Sequence, residues 1–420
     1  MKQTTLSLWL GGVLLVLTSA VAQAAALSLE QTLDLAQRYS AELSASRNQV
    51  RAYGAMADSA RQLPDPELKF GIENLPVQGS NARRFTREGM TMQRVGVMQT
   101  FVSADKRERK ADTLLAQSAS ASAQEQVIRA QLQRDTAQAW LDLALSEKAA
   151  QAARQLLNET GRQIPVQRSG VASGSAAASS TLALQSALSA MRDNLTLAER
   201  DVSLAQTRLY QLTGETFDGV AGALPRYQRL PAEPQTLEQG VSVHPEVVLA
   251  AREADVAKAR SAQSAVASKP DVGVEVYYAR RAEAYGDLAG VMFTVGMPIF
   301  QSHRQDKDYA ADVSRAMEAN DRLSQATRDR VALVRSLVAE YQAAQTLWRR
   351  KQQEIVPLSQ QRLLVVTAEY RSGQATLDAV LDARRSLLDA QLSAINAEKE
   401  MAQRWAAVRY LTVQGVAHEQ

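Results

Sequence analysis

Two short stretches decide the fold: PELKFGIE, which runs from Pro66 to Glu73, and PDVGVEVYY, which runs from Pro270 to Tyr278. In both, apolar residues occupy every second position, and polar residues or glycines stand between them. Alternation with a period of two predicts strands that have one apolar and one polar face. Each stretch is near the length of about nine to eleven residues with which a tilted strand crosses a bilayer. The pattern therefore predicts membrane-spanning strands, with a small soluble sheet packed on helices as the alternative.

A second strand is predicted in each half of the chain, after a polar loop. QRVGVMQTF ends at Phe101, and FTVGMPIF ends at Phe300. Four strands cannot close a barrel, and an open sheet edge is not tolerated in lipid. If these strands span a membrane, two copies of the chain would supply eight strands to one barrel and three copies would supply twelve. The sequence therefore predicts an obligate oligomer.

Methionines are frequent around the second strand, where Met90, Met92 and Met98 fall on the same face as Arg94. The apolar side of this strand therefore stays unassigned. Thioether groups suit monovalent copper or silver, so the three methionines are a candidate soft-metal stripe. Methionine is also an ordinary packing residue, and that interpretation is favoured. No metal site is predicted.

Long helices make up most of the remaining chain. Ser103 to about Arg162 reads as one helix, which would be roughly 90 Å long. A comparable helix is predicted from about His303 towards Tyr370, with Pro357 as a kink or break. Apolar steps that average about 3.5 residues favour antiparallel coiled-coil packing. The residues with this spacing are Val331, Val334, Val338, Tyr341 and Trp348, and later Leu381, Leu388, Leu392 and Ile395.

The N-terminal residues predict export. An apolar run over residues 6–17 is preceded by Lys2 and followed by the small residues of Ala22-Gln23-Ala24. This arrangement is typical of a secretory signal peptide, because the run is too short to span a membrane as a helix. We therefore predict a signal peptide over residues 1–24 and a mature protein over residues 25–420.

The composition argues against several classes of chemistry. Lys and Arg number 48 against 45 Asp and Glu, and the charges are interspersed, which is typical of solvated helix faces rather than of a nucleic-acid-binding surface. The chain has no Cys, its three His are scattered, and it contains no phosphate-binding glycine loop, GxSxG elbow or HExxH motif. We therefore predict a protein that is not an enzyme, that uses no cofactor and that binds no nucleic acid.

The two halves of the chain share an order of motifs. SLEQTLDLAQRYSAEL, from Ser28, matches TLEQGVSVHPEVVL, from Thr236, and a helix, two strands and a long helix are predicted after each. RSG recurs at Arg168 and at Arg371, and the halves close on YQLTG and YLT. Corresponding points lie about 200 residues apart, which favours an internal duplication. The predicted repeats cover about 25–220 and about 235–415.

These features together resemble the TolC-type outer-membrane efflux proteins. The stretches FGIENLPVQG, MTMQRVGVMQTF and DKRERKAD are most similar to the branch that serves heavy-metal pumps of the resistance-nodulation-division class. The resemblance implies a homotrimer in the outer membrane of a Gram-negative cell, extending into the periplasm. Twelve strands, four from each chain, would form a β-barrel in contact with outer-membrane lipid, and the helices would form a coiled-coil α-barrel. The implied partners are a periplasmic adaptor protein and an inner-membrane resistance-nodulation-division pump.

The stretch EYRSGQATLDAVLDARR, from Glu369 to Arg385, matches the part of the family that closes the periplasmic end of the channel like an iris. Tyr370 and Gly373 fall on the family's Tyr and Gly, and Asp382 falls on an aspartate at the narrowest point. Asp378 is displaced by one position from the family's other aspartate. The resemblance therefore implies a periplasmic gate at these four residues.

Each of the two acids also has a local explanation. Thr376 is a candidate helix cap, and a carboxylate at Asp378 would complement the positive end of the helix dipole. Asp382 has Arg385 three residues further on as an ion-pair partner. Three copies of both acids would instead surround an entrance with six carboxylates, a ring that favours cations. We favour the cap for Asp378 and the gate for Asp382.

The function that this sequence indicates is a passive exit duct of a tripartite efflux pump, with heavy-metal cations as cargo. A duct of the same fold for drugs or organic compounds is the first alternative. A periplasmic coiled-coil adaptor is a second, although an adaptor would have one helical hairpin rather than two equivalent halves. A secreted structural coiled coil without a pore is a third, and it would not need two-faced strands.

Overall fold

The computed structural model describes residues 26–85, 87–173 and 178–413. The predicted signal peptide, residues 1–24, lies outside this part of the chain. Helices dominate the described residues, and four strands form a single antiparallel sheet. None of the helices in the described part is at once long and apolar enough to cross a membrane.

Each half of the chain has helices both before and after its pair of strands. The first half contains α1 (Leu29–Tyr39), α2 (Ala41–Ala60), α3 (Ala104–Gly161), α4 (Ile164–Ala172) and α5 (Ala178–Thr213). The second half contains α6 (Pro234–Gln239), α7 (Pro245–Ala265), α8 (Gln305–Arg350), α9 (Val356–Arg371) and α10 (Leu377–Arg409).

The longest helix confirms the sequence prediction almost to the residue. α3 has 58 residues, which corresponds to about 87 Å at the usual rise. Its N-cap is Ser103, whose side chain accepts a hydrogen bond from the backbone N–H of Lys106 at 3.3 Å. The helix ends at Gly161, and the backbone N–H of its C-cap residue, Arg162, still bonds to the carbonyl of Asn158. A single uninterrupted rod therefore joins the sheet to the far end of the molecule.

The second long helix is interrupted where a proline was expected to disturb it. α8 passes into one π-helical turn, Lys351–Ile355, and α9 then continues with Pro357 in its first turn. Proline has no backbone N–H and its ring crowds the preceding carbonyl groups, so a local widening relieves the clash without ending the helix. The predicted break is confirmed as a π turn between α8 and α9.

The residues with heptad-like spacing form the contacts between helices. Val334, Val338 and Tyr341 of α8 are buried, as are Leu388 and Ile395 of α10. Leu381 is buried too, whereas Val331, Trp348 and Leu392 are half-buried and pack against the same clusters. The burial of apolar residues that are spaced about 3.5 positions apart confirms the predicted coiled-coil packing.

The segment that joins the two halves, residues 214–233, contacts the helices through the buried Tyr227. Tyr227 donates from Oη to Glu398 Oε1 of α10 at 2.8 Å, and Lys148 Nζ lies 2.7 Å from Glu398 Oε2. Tyr341 Oη donates to the carbonyl of Tyr227 at 2.8 Å. Burial, and then the charge of Glu398, raise the pKa of Tyr227 far above its ordinary value. The phenol is therefore a permanent donor in this network.

The sheet has the strand order β1-β2-β3-β4, with every neighbouring pair antiparallel. The strands are β1 (Glu67–Glu73), β2 (Met92–Phe101), β3 (Val272–Arg280) and β4 (Leu288–Val295). Two strands come from each half of the chain, and they meet at the β2–β3 pair. β1 and β4 are the two open edges within the described chain.

The predicted end of the fourth strand is wrong. The sequence predicts that it ends at Phe300, but β4 ends at Val295 and begins earlier, at Leu288. Pro298 has no N–H to give to a ladder, so the chain turns away from the sheet. The N–H of Ile299 bonds to the carbonyl of Met297 in this turn.

Candidate functional site

The apolar face of the sheet is exposed, and the opposite face carries the charged side chains and several glycines. In an ordinary soluble sheet the apolar side chains would be packed on the core, as the soluble-sheet alternative requires. Here the apolar face points away from the chain and includes Leu68 (65% exposed), Phe70 (81%), Val276 (59%), Val291 (57%) and Phe293 (69%). On the opposite face of β3, Gly273, Glu275 and Ala279 are buried. This arrangement is the reverse of a soluble sheet and matches a strand that has lipid on its apolar side.

The register of β2 against its neighbours settles the face that the sequence left unassigned. Val95 and Val97 lie opposite Phe70 and Leu68 of β1, so they belong to the exposed apolar face. Met92, Arg94 and Met98 therefore lie on the polar face. Met90 precedes the strand and is exposed.

A network of charges is centred on Arg94, on the polar face. Its Nη1 donates to Glu73 Oε1 and its Nη2 to Glu275 Oε1, both at 2.8 Å. The guanidinium carbon lies 3.7 Å from the centroid of the Tyr277 ring, within the range of a cation–π contact. Lys69 Nζ lies 3.7 Å from Glu275 Oε2. Glu275 is only 6% exposed, and its two cationic partners compensate for the removal of its charge from water.

Glycines on the same face make room for this network. A Cβ at Gly96 would lie 2.8 Å from the Cβ of Tyr277 and 2.9 Å from Glu275 Oε1. A Cβ at Gly290 would lie 2.5 Å from the Tyr277 ring. The ring and the carboxylate can therefore lie flat on the sheet only because these positions have no side chain. Sequence reasoning missed the network, because the pairing of β2 with β3 across 181 residues brings Arg94 and Glu275 together.

The predicted gate residues lie at the turn between α9 and α10: Tyr370 is near the end of α9, Gly373 is in the turn, and both aspartates are near the start of α10. Gly373 has φ of +77°, a conformation that favours glycine, and its N–H bonds to the carbonyl of Tyr370 at 3.1 Å. The Thr376 side chain accepts the N–H of Ala379 at 3.3 Å, which confirms the predicted cap of α10. Asp378 lies in the first turn after this cap, where it faces the positive end of the helix dipole.

Asp378 and Asp382 lie one turn apart, and both are exposed. The residues beside them, Leu377 and Leu381, are buried against Leu184 and Leu188 of α5. The alternative ion pair of Asp382 with Arg385 is not present, and neither acid has an ion-pair partner within the described residues. The carboxylates are therefore held on the solvent side of a well-packed helix end.

A further charged residue near the gate was missed by the sequence analysis. Arg384, on α10, donates from Nη1 to Thr160 Oγ1 at the end of α3, at 3.1 Å. Burial lowers the pKa of this guanidinium, and its Nε has no hydrogen-bond partner. The contact joins α10 to α3, the longest helix. In the sequence, only the spacing of seven residues from Leu377, two helical turns, could have indicated a half-buried position for Arg384.

The described residues contain no group of three or more His, Asp or Glu side chains placed to hold a metal ion.

Comparisons with known proteins agree with this geometry. No protein-family model matches the chain. The chain is 24% identical over 382 residues to the cobalt-zinc-cadmium resistance protein CzcC of Cupriavidus metallidurans, an alignment that covers 87% of this chain and 85% of the relative.

Solved structures share the fold. The structure of CusC, described for transmembrane channel formation, superposes with a TM-score of 0.74 at 15% identity and covers 92% of each chain. The outer membrane protein VceC of Vibrio cholerae gives a TM-score of 0.70 at 16% identity, over 92% of this chain and 97% of that chain. The chain is therefore similar in sequence to a metal-resistance protein and shares its fold with outer-membrane proteins, which confirms the resemblance to TolC-type outer-membrane efflux proteins that the sequence indicated.

Proposed function

We propose that the chain is one subunit of a passive exit duct in the outer membrane of a Gram-negative cell, belonging to a tripartite efflux pump that exports heavy-metal cations. The observation that carries the proposal is the exposed apolar face of the sheet, opposite a face that carries charged and polar side chains. Such a sheet suits lipid on one side and a water-filled lumen on the other. The duct itself needs no catalytic site, because energy would come from the pump.

The duct requires several copies of the chain. The chain exposes 26491 Å² of surface, whereas a folded monomer of 45.8 kDa exposes about 16,000 Å². The two open sheet edges, β1 and β4, are different surfaces, so pairing β4 of one copy with β1 of the next would repeat around a ring. A homotrimer with a barrel of twelve strands, each protomer built from two repeats, is the arrangement that the family resemblance implies.

The gate at the periplasmic end would consist of Tyr370, Gly373, Asp378 and Asp382. The exposure of both carboxylates, without ion-pair partners in the described chain, supports this role. Repeated by threefold symmetry, they would attract cations and repel anions. An acidic entrance is less suited to organic anions, and therefore favours the metal cargo over the alternative of organic compounds.

The cargo and the partners are inferred from relatives. CzcC is a cobalt-zinc-cadmium resistance protein, and we propose the same class of divalent cation for this chain. The partners would be a periplasmic adaptor protein at the gate end and an inner-membrane resistance-nodulation-division pump beyond it.

Single-channel recordings in planar bilayers test this function. We expect the purified oligomer to conduct cations in preference to anions, measured from the reversal potential in a salt gradient. In an Asp378→Asn, Asp382→Asn variant the cation-to-anion permeability ratio should fall by roughly threefold or more, because six carboxylates leave the entrance. Asp321→Asn, which removes an exposed carboxylate from α8, is the control and should leave the ratio unchanged.

Two results would count against the proposal in different ways. A folded oligomer that never conducts, even with the gate aspartates removed, would contradict the duct. Equal permeability ratios in all three proteins would leave the duct intact and remove the two aspartates from the gate.

A further inference from the structure

A cavity of about 990 Å³ lies at the surface of the helical part, between α1, the joining segment 214–233 and the end of α10. Three arginines line it: Arg226 and Arg229 come from the segment, and Arg409 comes from α10. Glu30 of α1 is the single acid in the lining. The lining therefore carries an excess of positive charge, and the cavity is called the arginine pocket below.

The two arginines of the segment have no counter-charge of their own. Arg226 and Arg229 are exposed, and neither guanidinium group has an ion-pair partner within the described residues. Beside them the lining is apolar and aromatic, and Trp405 and Tyr410 are each only 7% exposed. Arginine, tryptophan and tyrosine are the residues that most often dominate the energy of a binding site. Unpaired guanidinium groups beside an aromatic wall suit an anionic ligand that also has apolar parts.

The pocket is held in shape by contacts that the ligand does not have to make. The N–H of Arg229 bonds to the carbonyl of Arg226 at 3.3 Å, so both arginines belong to one turn. Tyr227, which lies in the same turn, is anchored in the buried network described above. On the side of α1, Trp140 Nε1 donates to the carbonyl of Leu27 at 3.0 Å. A site that is formed in advance costs less ordering when a ligand binds.

Trp140 also gives the position of the pocket on the long helix α3. It lies 36 positions after Ala104, the first residue of the helix, which corresponds to about 54 Å from the sheet. It lies 34 positions after Lys106, which lines one cavity together with Met98 and Thr100 of the polar face. This spacing corresponds to a rotation of about 160° on a regular helix. α1 therefore covers the side of α3 that is turned away from the proposed lumen, and the pocket lies on the outside of the duct.

The chemistry of the pocket selects a class of ligand. Arginine binds a carboxylate through two parallel hydrogen bonds, and a cavity of this size accepts a ligand of a few residues. In the proposed function the helices cross the periplasm, so they pass through the cell wall, whose short stem peptides have free carboxylates. We propose that the arginine pocket binds the stem peptides of peptidoglycan and thereby holds the duct in the cell wall. The proposal rests on the proposed function, which places this part of the chain in the periplasm.

The wall also suits a site that is repeated around the duct. The mesh surrounds the duct and presents many identical peptides, and each copy of the chain would supply one pocket. Several linked contacts hold much more tightly than one, so each single pocket needs only modest affinity.

Binding of a soluble wall fragment to the purified oligomer in detergent tests the proposal. The probe is the disaccharide tripeptide of Gram-negative peptidoglycan, labelled on its sugar, and fluorescence anisotropy measures its dissociation constant. In an Arg226→Gln, Arg229→Gln variant this constant should rise at least tenfold, because two charge-assisted contacts are lost. The same fragment with its carboxyl groups amidated should not bind. Isolated wall sacculi should sediment the wild-type oligomer and leave the variant in solution.

A matched control separates the pocket from arginine content. Arg51→Gln, Arg328→Gln removes two exposed arginines from α2 and α8 and should bind the fragment as the wild type does. If both double variants bind alike, or if the amidated fragment binds as well as the acidic one, the proposal is overturned. A pocket that takes an acidic peptide of equal charge but not the wall fragment would accept a segment of another protein, which equally overturns the assignment to the wall.

Failure of the duct gives a different pattern of results. An oligomer that binds the fragment through Arg226 and Arg229 but conducts no ions would refute the proposed function and support the pocket. One that conducts ions without binding the fragment would refute the pocket and support the duct.

Discussion

At the scale of single residues, the polar face of the sheet depends on positions without side chains. At Gly96 an added Cβ would lie 2.8 Å from the Cβ of Tyr277 and 3.0 Å from the carbonyl oxygen of Val276. These are atoms of, or next to, the backbone, so they cannot move aside cheaply. Gly71 lies on the same face, yet a Cβ there would have no heavy atom within 4 Å.

Adding one methyl group should therefore affect stability in opposite ways at Gly96 and at Gly71. Gly96→Ala should lower the apparent free energy of unfolding in detergent by about 1–3 kcal/mol, the usual cost of overpacking. Gly71→Ala should be neutral or slightly stabilising, because alanine loses less backbone entropy on folding. Urea titrations of both variants measure the difference, and equal stability of the two would contradict the packing described here.

A buried histidine predicts a pH dependence. His244 precedes α7, is 3% exposed, and its Nδ1 has no hydrogen-bond partner. Burial, and then the charge of Arg330, lower its pKa to about 4. In the unfolded chain the pKa of a histidine is about 6.5. Between about pH 6.5 and pH 4 the unfolded chain therefore binds a proton at His244, whereas the folded chain does not. Stability is therefore unaffected by this group above about pH 6.5 and falls as the pH drops towards 4.

The histidine can be tested by substitution. Between about pH 6.5 and pH 5, His244 should remove up to about 2 kcal/mol of unfolding free energy. His244→Gln should abolish this part of the pH dependence in urea titrations, whereas His303→Gln, at an exposed position, should retain it. A wild-type profile that stays flat over this window would contradict the account.

Which residue-level features could be predicted depended on how local they are. The Thr376 cap and the turn at Gly373 involve neighbours in the chain, and the sequence pattern indicated both. Arg94 and Glu275 are 181 positions apart, so no spacing rule joins them before the register is known. The alternative ion pair between Asp382 and Arg385 does not form. A spacing of three residues on a helix permits an exposed ion pair but does not require it, because such pairs contribute little free energy.

At the scale of elements, the segment that joins the two halves packs on the helices through Phe217 and Tyr227, and Tyr227 is the more deeply buried of the two. Tyr227→Phe removes the donor to Glu398, which is 5% exposed, and leaves that oxygen without this bond. We expect the free energy of unfolding to fall by about 1–3 kcal/mol. Tyr210→Phe, at a residue that is 53% exposed on α5, should change it little. Equal effects of the two substitutions would show that the segment is fastened elsewhere.

Element boundaries were predictable where one residue type governs them. Ser103 and the charged residues after it determine the start of α3, and Pro357 determines where α8 changes to a π turn. The fourth strand was misjudged because apolar residues continue through Met297 and Phe300 after the ladder has ended. Hydrophobic patterning alone cannot distinguish a strand from the apolar turn that follows it, whereas the missing N–H of Pro298 can.

At the scale of the whole molecule, the orientation of the sheet decides the interpretation. Alternation in the sequence predicts two faces, but it does not say which face meets the rest of the chain. The structure leaves apolar side chains exposed on all four strands instead of packing them on the helices, so the soluble-sheet alternative loses its basis. The chain exposes 26491 Å², more than a compact monomer of its mass, and the proposed oligomer would bury part of this surface.

The most direct test of this account is a spin-label scan of the sheet in liposomes. The chain has no Cys, so single cysteines carry the label without background. Val97, Val276 and Val291 share one row of the apolar face, and Thr100 and Thr294 share a row of the polar face. Labels at the three valines should be accessible to oxygen and protected from a water-soluble nickel reagent, and labels at the two threonines should show the reverse. Uniform access of the nickel reagent at all five positions would contradict a lipid-facing sheet, and with it the duct.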